Sequence, residues 1–366
     1  MKQGWKTCKF ADVFDLQMGK TPSRDNPTYW GDDNMWVSIA DMNEQKYMSA
    51  TKEGITDVAV QESGIKPIPK GTVIMSFKLS IGKVSIATSK LYTNEAIMGF
   101  IEKEEGTLVP EYLYYYLKGY KWEGANKAAM GMTLNKKTIA ENTISYPPIA
   151  EQEKIVAELD CLSGIIEKKK QQLKELDNLA QSIFYEMFGD PVENDKGWEV
   201  KKLGDVCSLK AGKAIKANEL SDVASDNLYP CFGGNGIRGY IEKVSHHNQY
   251  PIIGRQGALC GNVVLSTKEF YATEHAVVVQ PVVEMNIYWS YYTLMYMNLN
   301  RLAQGVAQPG LSVGRVNQEN FILPPLDLQQ DFASKIESIE KQKELIAQSI
   351  KETETLFNSR MDYYFN

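Results

Sequence analysis

Two short motifs in this sequence match patterns that serve phosphate binding or nucleophilic catalysis. Gly19-Lys20-Thr21 matches the end of a phosphate-binding loop, but Phe14 stands where that loop needs a glycine. Gly310-Leu311-Ser312-Val313-Gly314 matches the serine turn of hydrolases, which requires a histidine later in the chain. All three histidines, at positions 246, 247 and 275, precede this serine. We therefore predict neither phosphate-loop nor serine-hydrolase chemistry.

The patterns for cofactor and metal chemistry are also incomplete. Residues 234–239 match a dinucleotide-binding fingerprint, but the residues that follow alternate like a strand instead of opening a helix. The histidines lack helical ligand spacing, and none of the five cysteines belongs to a Cys-x-x-Cys pair. Neither double proline, at 147–148 and 324–325, follows the Asn or Asp that the amino-methyltransferase motif requires. We expect no catalytic residue, no metal site and no cofactor in this chain.

Glycine-rich loops carry side chains suited to a different chemistry, the recognition of nucleic acid. The loop at 19–24 is rich in hydrogen-bond donors, and the loops at 231–240 and 253–257 carry Arg, Asn and Gln. These side chains can contact phosphates or the edges of guanine and adenine. The alternative is that these segments are plain hairpins or surface turns, and the sequence leaves both interpretations open.

The distribution of charge is compatible with such contacts. The formal net charge of −6 divides into +1 for residues 1–145, −4 for 146–190, 0 for 191–322 and −3 for 323–366. The excess acid therefore lies in the second and fourth segments. The first and third segments are close to neutral, so each can present a basic face.

Two long helices are predicted to position these loops. Apolar residues recur at alternating steps of four and three in residues 151–188, and more weakly near the end of the chain, as in helices that pack along one another. The predicted seam consists of Ile155, Leu159, Leu162, Ile166, Leu173, Leu176 and Ile183 in the first helix and Phe332, Ile336, Ile339, Ile346 and Ile350 in the second. Lys169 occupies one seam position near the middle of the first helix. The double prolines block helix upstream and fix where each helix begins.

The chain is an internal duplication. Residues 4–20 align with residues 197–213, with 8 of 17 positions identical, and Tyr92 and Glu95 match Tyr271 and Glu274. The order is therefore a globular segment, a helix, a second globular segment and a second helix. Because the first helix leads into the second globular segment, we expect the second helix to return antiparallel to it, with pseudo-twofold symmetry and a globule at each end.

Several motifs together resemble the specificity subunit of type I restriction-modification enzymes. They are Trp5-Lys6 and Trp198-Glu199, Gly19-Lys20-Thr21-Pro22-Ser23-Arg24, Tyr29-Trp30-Gly31, the two double-proline helix entries and Phe188-Gly189-Asp190-Pro191. The likeness covers nearly the whole chain and respects its order. One departure is that Gly212-Lys213-Ala214-Ile215-Lys216 replaces the first loop, so contacts cannot be copied from one half to the other.

The resemblance implies an α+β fold with two mixed α/β target-recognition domains, at 1–145 and 191–322. A long antiparallel two-helix coiled coil, at 146–190 and 323–366, would separate them. Each domain would read one half of a bipartite, asymmetric site in double-stranded DNA. We predict that the residues facing DNA are Lys20, Thr21, Arg24, Lys78, Lys83, Lys213, Asn235, Arg238, Arg255 and Gln256.

The resemblance also implies partner proteins that carry the chemistry. Two methyltransferase subunits, which use S-adenosylmethionine, would dock on the helices, and a motor nuclease subunit, which uses ATP and Mg, would join for cleavage. The sequence shows no signal region and no apolar run long enough to span a bilayer, so we expect a cytoplasmic protein with no membrane contact. The alternative function is a duplicated coiled-coil scaffold that binds protein without reading DNA.

Overall fold

The computed structural model divides the chain into two compact units. It describes residues 4–43, 45–123, 126–128, 131–305 and 309–365. The first unit comprises Met1–Lys169 and Ser349–Asn366, and the second comprises Lys170–Gln348. The predicted segment boundaries follow the order of the sequence, whereas each compact unit contains one half of each long helix.

The first unit is built on a five-stranded sheet of order β2-β9-β6-β7-β4 beside a three-stranded sheet of order β5-β3-β8. Two strand pairs, β1-β12 and β10-β11, complete it. The strands are β1 (Lys6–Lys9), β2 (Phe14–Met18), β3 (Trp30–Val37), β4 (Tyr47–Met48), β5 (Glu53–Ile55), β6 (Val73–Ser76), β7 (Val84–Ala87), β8 (Tyr92–Thr93), β9 (Ile97–Glu102), β10 (Asn126–Ala128), β11 (Gly131–Thr133) and β12 (Thr143–Tyr146). The helices are α1 (Phe10–Val13), α2 (Asp57–Ser63), α3 (Pro110–Gly119), α4 (Lys136–Glu141) and the first part of α5 (Ile149–Phe188).

The second unit repeats this plan with fewer elements. Its sheets have the orders β14-β20-β17-β18, β16-β15-β19 and β13-β21. The strands are β13 (Glu199–Lys202), β14 (Cys207–Ala211), β15 (Tyr229–Gly233), β16 (Gly236–Ile241), β17 (Pro251–Gly254), β18 (Val263–Leu265), β19 (Tyr271–Ala272), β20 (Ala276–Pro281) and β21 (Asn320–Leu323). The helices are α6 (Leu203–Val206), α7 (Ile287–Tyr296), α8 (Val313–Asn317), the second part of α5 and the first part of α9 (Leu326–Phe365), whose last part belongs to the first unit. The predicted α+β class and the duplication are confirmed, and β4 in the first unit corresponds to no strand among the described residues of the second.

The two long helices pair antiparallel within each unit, as predicted. In the first unit, Arg360 Nε lies 2.6 Å from Glu158 Oε1, and Lys169 Nζ donates to Ser349 Oγ. A later residue of α5 therefore contacts an earlier residue of α9, which shows that the helices run in opposite directions. In the second unit the ring centroids of Phe184 and Phe332 are 5.6 Å apart. There, Lys343 Nζ lies 2.7 Å from Asp177 Oδ1, which gives the same direction.

Most of the predicted seam is shielded from solvent. Its buried members are Ile155, Leu159, Ile166, Phe332, Ile336, Ile339 and Ile350, and its half-buried members are Leu162, Leu173, Leu176, Ile183 and Ile346. The main difference is at the end of α5, where Phe184 and Phe188 are fully buried and Ile183 is not. The cause is tertiary, because these two rings pack against Tyr296 and Trp289 of α7 as well as against Phe332 of the facing helix α9.

The polar seam position is satisfied by hydroxyl groups. Lys169 Nζ donates to Ser349 Oγ and to Thr353 Oγ1, the latter at 3.4 Å. A buried ammonium group needs such partners because an unpaired charge away from water is costly. The intact chain therefore gives this lysine a neutral neighbour, as the sequence pattern predicts.

A buried glutamine fixes the start of each long helix. Gln152 Oε1 accepts from Val109 N at 2.8 Å, and its Nε2 donates to Pro147 O at 2.9 Å. In the second unit, Gln329 Oε1 accepts from Asn286 N at 2.9 Å, and its Nε2 donates to Pro324 O at 2.8 Å. Each glutamine thus ties the double-proline turn to the start of an earlier helix, α3 in the first unit and α7 in the second.

We predict that Gln329→Ala destabilises the protein, because it leaves Asn286 N and Pro324 O without their partners. The expected loss is on the order of 2 kcal/mol in the free energy of unfolding, measured by urea titration. The neighbouring Gln330 is exposed. Gln330→Ala is therefore the matched control and should change the free energy by less than about 0.5 kcal/mol. Equal stability of the two variants would contradict this role.

Candidate nucleic-acid interface

A glycine-lysine turn follows strand β2 and brings Lys20 against the β8–β9 turn. Gly19 N donates to Ile97 O at 3.3 Å, and Lys20 N donates to Thr93 O at 2.8 Å. A Cβ atom on Gly19 would lie 2.0 Å from Thr93 O, which is far inside any normal contact. Only glycine permits this close approach of two backbones.

The second unit has the same turn after strand β14. Gly212 N donates to Ala276 O and Lys213 N donates to Ala272 O, both at 3.1 Å. A Cβ atom on Gly212 would lie 2.0 Å from Ala272 O. The glycine-lysine pair seen in the sequence repeat is therefore a backbone device that places one lysine at the same edge of each unit.

A carboxylate lies beside each of these turns. In the first unit, Thr21 Oγ1 donates to Glu95 Oε2, and this hydrogen bond holds the pKa of the Glu95 carboxylate below its usual value. In the second unit, Glu274 Oε1 lies 3.2 Å from His275 Nε2. Its Oε2 is buried and has no hydrogen-bond partner among the described residues. Each edge therefore offers both a cation and an acceptor.

The remaining predicted cations of the first unit differ in how firmly the protein holds them. Arg24 forms two hydrogen bonds to Glu53, at 2.6 and 2.8 Å, and its guanidinium carbon lies 3.7 Å from the Trp30 ring centroid. The Arg24 hydrogen bonds hold the pKa of the Glu53 carboxylate below its usual value. Arg24 is thus engaged within the unit, and a contact with DNA would have to compete with Glu53.

The lysines of the first unit are held more loosely. Lys20 is exposed, and its Nζ donates to Ser63 O at 2.6 Å. Lys78 Nζ lies 5.2 Å from the Phe77 ring centroid, and Lys83 Nζ donates to Ile39 O at 3.3 Å. Lys20 and Lys83 each donate one hydrogen bond to a backbone carbonyl, which leaves each ammonium group with further protons to donate, and Lys78 contacts a ring. These lysines can therefore bind an anion without losing an ion pair.

The glycine-rich stretch at 231–240 is a β-hairpin. Strands β15 and β16 pair antiparallel through it, so the literal dinucleotide fingerprint is a turn between strands, as the alternating pattern indicates. Asn235 is exposed at the turn, and its Oδ1 accepts from Asn262 Nδ2 at 2.7 Å. Arg238 is also exposed and forms no ion pair within the described ranges of the chain.

Arg255 occupies the position that Phe77 has in the first unit. Arg255 N donates to His275 O at 3.1 Å and its carbonyl accepts from Leu311 N at 2.8 Å. Phe77 N donates to Ala96 O at 2.9 Å and its carbonyl accepts from Leu134 N at 2.9 Å. The backbone bonds are preserved while the side chain changes from a buried ring to an arginine whose Nε is buried and lacks a partner in the part of the chain that the structure describes. Such a donor is a candidate to donate a hydrogen bond to a ligand.

The structure gathers most of the predicted contact residues around equivalent turns. Lys20, Thr21 and Lys78 surround the β8–β9 turn, where the charge of Lys78 also lowers the pKa of Glu95. The corresponding group around the β19–β20 turn consists of Lys213, Asn235, Arg238, Arg255 and Gln256. Arg24 lies over the Trp30 ring and 5.3 Å from the Trp36 ring centroid, and Trp36 Nε1 donates to Lys20 O at 3.2 Å. Lys83 Nζ donates to Ile39 O. Side chains of these types can form hydrogen bonds to phosphates or to the edges of bases.

Sequence reasoning proposed these cations as candidates but did not single out the two carboxylates and Trp30, which lie beside them. The signal for the carboxylates was present, because Glu95 and Glu274 matched in the repeat. In the described ranges, no group of three His, Cys, Asp or Glu side chains is placed to hold a metal ion. A search of the same ranges finds no helix with the length and apolarity needed to cross a membrane.

Comparisons with known proteins place the chain in a family. The model of the type I restriction modification DNA specificity domain matches residues 2–178 and 195–355. The EcoprrI specificity subunit of Escherichia coli is 32% identical, over 87% of this chain and 83% of that protein. The MjaIX specificity subunit of Methanocaldococcus jannaschii is 27% identical, over 92% of this chain and 86% of that protein.

Solved structures show the same fold. The crystal structure of a type I restriction-modification S subunit from M. genitalium aligns with a TM-score of 0.60 at 15% identity, covering 98% of this chain and 95% of that one. A chain from a structural study of type I complex assembly and conformational transition aligns with a TM-score of 0.59 at 17% identity, covering 100% and 98%. With the matched domain repeated in both halves, the chain belongs to the family of type I restriction-modification DNA specificity subunits.

Proposed function

We propose that this chain is the non-catalytic subunit that selects the DNA sequence for a type I restriction-modification complex. Each unit reads one half of a bipartite, asymmetric site in double-stranded DNA. The observation that carries the proposal is the repeated glycine-lysine turn, which presents Lys20 and Lys213 at equivalent edges beside donors and acceptors. Lysines that bind phosphates would fix the register of each unit, and the loop side chains would read bases.

We further propose that the chemistry resides in partner subunits. Two methyltransferase subunits that use S-adenosylmethionine dock on the acidic faces of α5 and α9, and a motor nuclease subunit that uses ATP and Mg joins them. The excess acid of the helical segments supports this, because the seam accounts for the apolar residues and leaves the charged faces exposed. We expect the complex in the cytoplasm, with the DNA that it reads.

The second unit's loops should determine sequence preference. We predict that Arg238→Ala and Arg255→Ala each weaken binding to the cognate duplex by about 1–3 kcal/mol and relax one base position, if each arginine contacts a guanine edge. The measurement is fluorescence anisotropy with the assembled complex, on the cognate site and on single-base variants, at a fixed salt concentration. The matched control is Lys213→Ala, which should weaken all sequences alike. If both arginine variants keep the affinity and preference of the parent, this loop does not read DNA.

Partner docking should depend on the helix faces and not on the loops. We predict that Glu167→Lys combined with Glu175→Lys abolishes binding of the methyltransferase subunit, because both side chains are exposed on α5 away from the seam. Light scattering of the mixed subunits measures this, and Arg238→Ala serves as the control that retains assembly. The chain alone should transfer no methyl group from labelled S-adenosylmethionine to DNA and should cleave none. Transfer by the purified chain would contradict the proposal.

A fragment of residues 1–190 should pair with itself and specify a symmetric, interrupted site. It holds one reader and one complete helix, and the pseudo-twofold becomes a true twofold when both halves are identical. The self-pair brings two Lys169 side chains close together, whereas the intact chain offers Ser349 and Thr353 hydroxyls. Self-pairing should therefore be weak and should strengthen in Lys169→Leu. Light scattering followed by methylation mapping tests this, and a strictly monomeric fragment would contradict it.

A further inference from the structure

In the first unit, the short strand β4 covers the edge of the main sheet. It pairs parallel to β7, with Ile86 N donating to Lys46 O at 2.8 Å and Thr88 N donating to Met48 O at 3.3 Å. Ser85 Oγ also donates to Gln45 O at 2.8 Å. The segment 45–48 therefore satisfies backbone donors that an uncovered edge would leave facing solvent.

The same segment places a lysine beside two tyrosine rings. Lys46 Nζ lies 4.8 Å from the Tyr115 ring centroid and 5.7 Å from that of Tyr114, and it pairs with Asp160. Tyr115 OH donates to the same Asp160 oxygen at 2.5 Å. The ammonium group is thus held both by a carboxylate and by aromatic faces, a combination that selects a cation.

Among its described residues, the second unit has the corresponding tyrosines without a counterpart of β4. Strand β18 is the counterpart of β7 and lies at the edge of its sheet. Tyr291 and Tyr292 of α7 repeat Tyr114 and Tyr115, and Tyr292 OH donates to Glu340 Oε1 at 2.9 Å. A groove of about 680 Å³ runs along this edge, lined by β18 and the following loop, by α7 and by the facing halves of α5 and α9.

The edge of β18 points its backbone donors into this groove. Ser266 N donates to Tyr250 O at 3.0 Å, on the side of β17. Because hydrogen bonds in an antiparallel pair alternate between the two sides of a strand, the N–H of the preceding residue, Leu265, faces the opposite way. Leu265 and Thr267 both line the groove, and they are the counterparts of Ile86 and Thr88. The two donors that bind β4 in the first unit are therefore repeated at an uncovered edge.

The groove also keeps an excess of negative charge. Its lining includes Asp177, Glu340 and Glu344 against the single cation Lys343. Lys343 Nζ lies 2.7 Å from Asp177 and 2.9 Å from Glu340, so it partly replaces the ammonium group that Lys46 supplies in the first unit. Glu344 remains unneutralised among these groups, and the groove therefore favours a further cation.

We propose that this groove binds an extended, lysine- or arginine-bearing segment of a protein subunit that assembles with this chain. The segment pairs as a parallel strand with β18, as β4 pairs with β7, and its cation lies beside the tyrosines and carboxylates that line the groove. The proposal rests on the proposed function only in taking the partner to be a subunit of the same complex. Because the first unit fills its own edge, two copies of a partner would meet chemically different surfaces on the two halves.

The test uses the full chain and a peptide that copies residues 45–50, with acetylated and amidated ends. In a chain labelled with [¹⁵N]leucine and [¹⁵N]isoleucine, the Leu265 amide should shift saturably as peptide is added, whereas the Ile86 amide, already bonded to β4, should not. A peptide with its lysine replaced by glutamate should bind at least about tenfold more weakly, since it places like charges together.

Two variants of the chain complete the test. Glu344→Lys should weaken binding of the lysine peptide about tenfold. Glu186→Lys, an equal change at an exposed position of α5 outside the groove, should leave it unchanged. A Leu265 amide that does not move at millimolar peptide, or equal binding of the lysine and glutamate peptides, overturns the proposal. DNA binding by the assembled complex, measured in parallel, reports separately on the proposed function.

Discussion

The structure depends on the sharing of each long helix between two hydrophobic cores. The beginning of α5 places Ile155 and Leu159 in the core of the first unit, and its end places Phe184 and Phe188 in the core of the second. Helix α9 does the reverse, with Phe332 in the second core and Met361 in the first. Full burial of such side chains contributes about 1.5–3 kcal/mol each, so neither core is complete without both helices. The pairing of the helices is therefore a condition of folding as well as a feature of the architecture.

This constraint reaches the candidate DNA-contact loops through a short series of contacts. Gln152 fixes the start of α5 against the start of α3, and α3 packs its buried tyrosines on the core side of β6 and β7. The loop that follows β6 carries Lys78, and Phe77 N bonds to the β8–β9 turn. The second unit repeats the series with Gln329, α7 and β17. In each unit, the candidate contact loops are thus connected, through one helix and one sheet, to the glutamine at the start of a long helix.

The features that the sequence predicted are those governed by local or periodic rules. The seam, the proline-fixed helix entries and the duplication all follow from spacing or from φ restriction, whereas the hairpin at 231–240 is one of two interpretations that the sequence leaves open. The structure differs from the prediction where contacts between side chains distant in sequence determine which residues are buried or paired. Phe184 displaces Ile183 from the seam because Tyr296 and Phe332 offer it ring contacts. Arg24 is engaged by Glu53, 29 residues away, which no local pattern reports.

The two units show how one backbone supports two different readers. Phe77 and Arg255 make matching backbone hydrogen bonds, yet one is a buried ring and the other an arginine whose buried Nε has no partner among the described residues. Thr21, which donates to Glu95, has Ala214 as its counterpart, so Glu274 turns instead to His275. These exchanges cost the scaffold little because the bonds that hold the turns come from the main chain. Since the donors and acceptors at the two edges differ while their positions agree, we expect the halves to prefer different bases within one common geometry of docking.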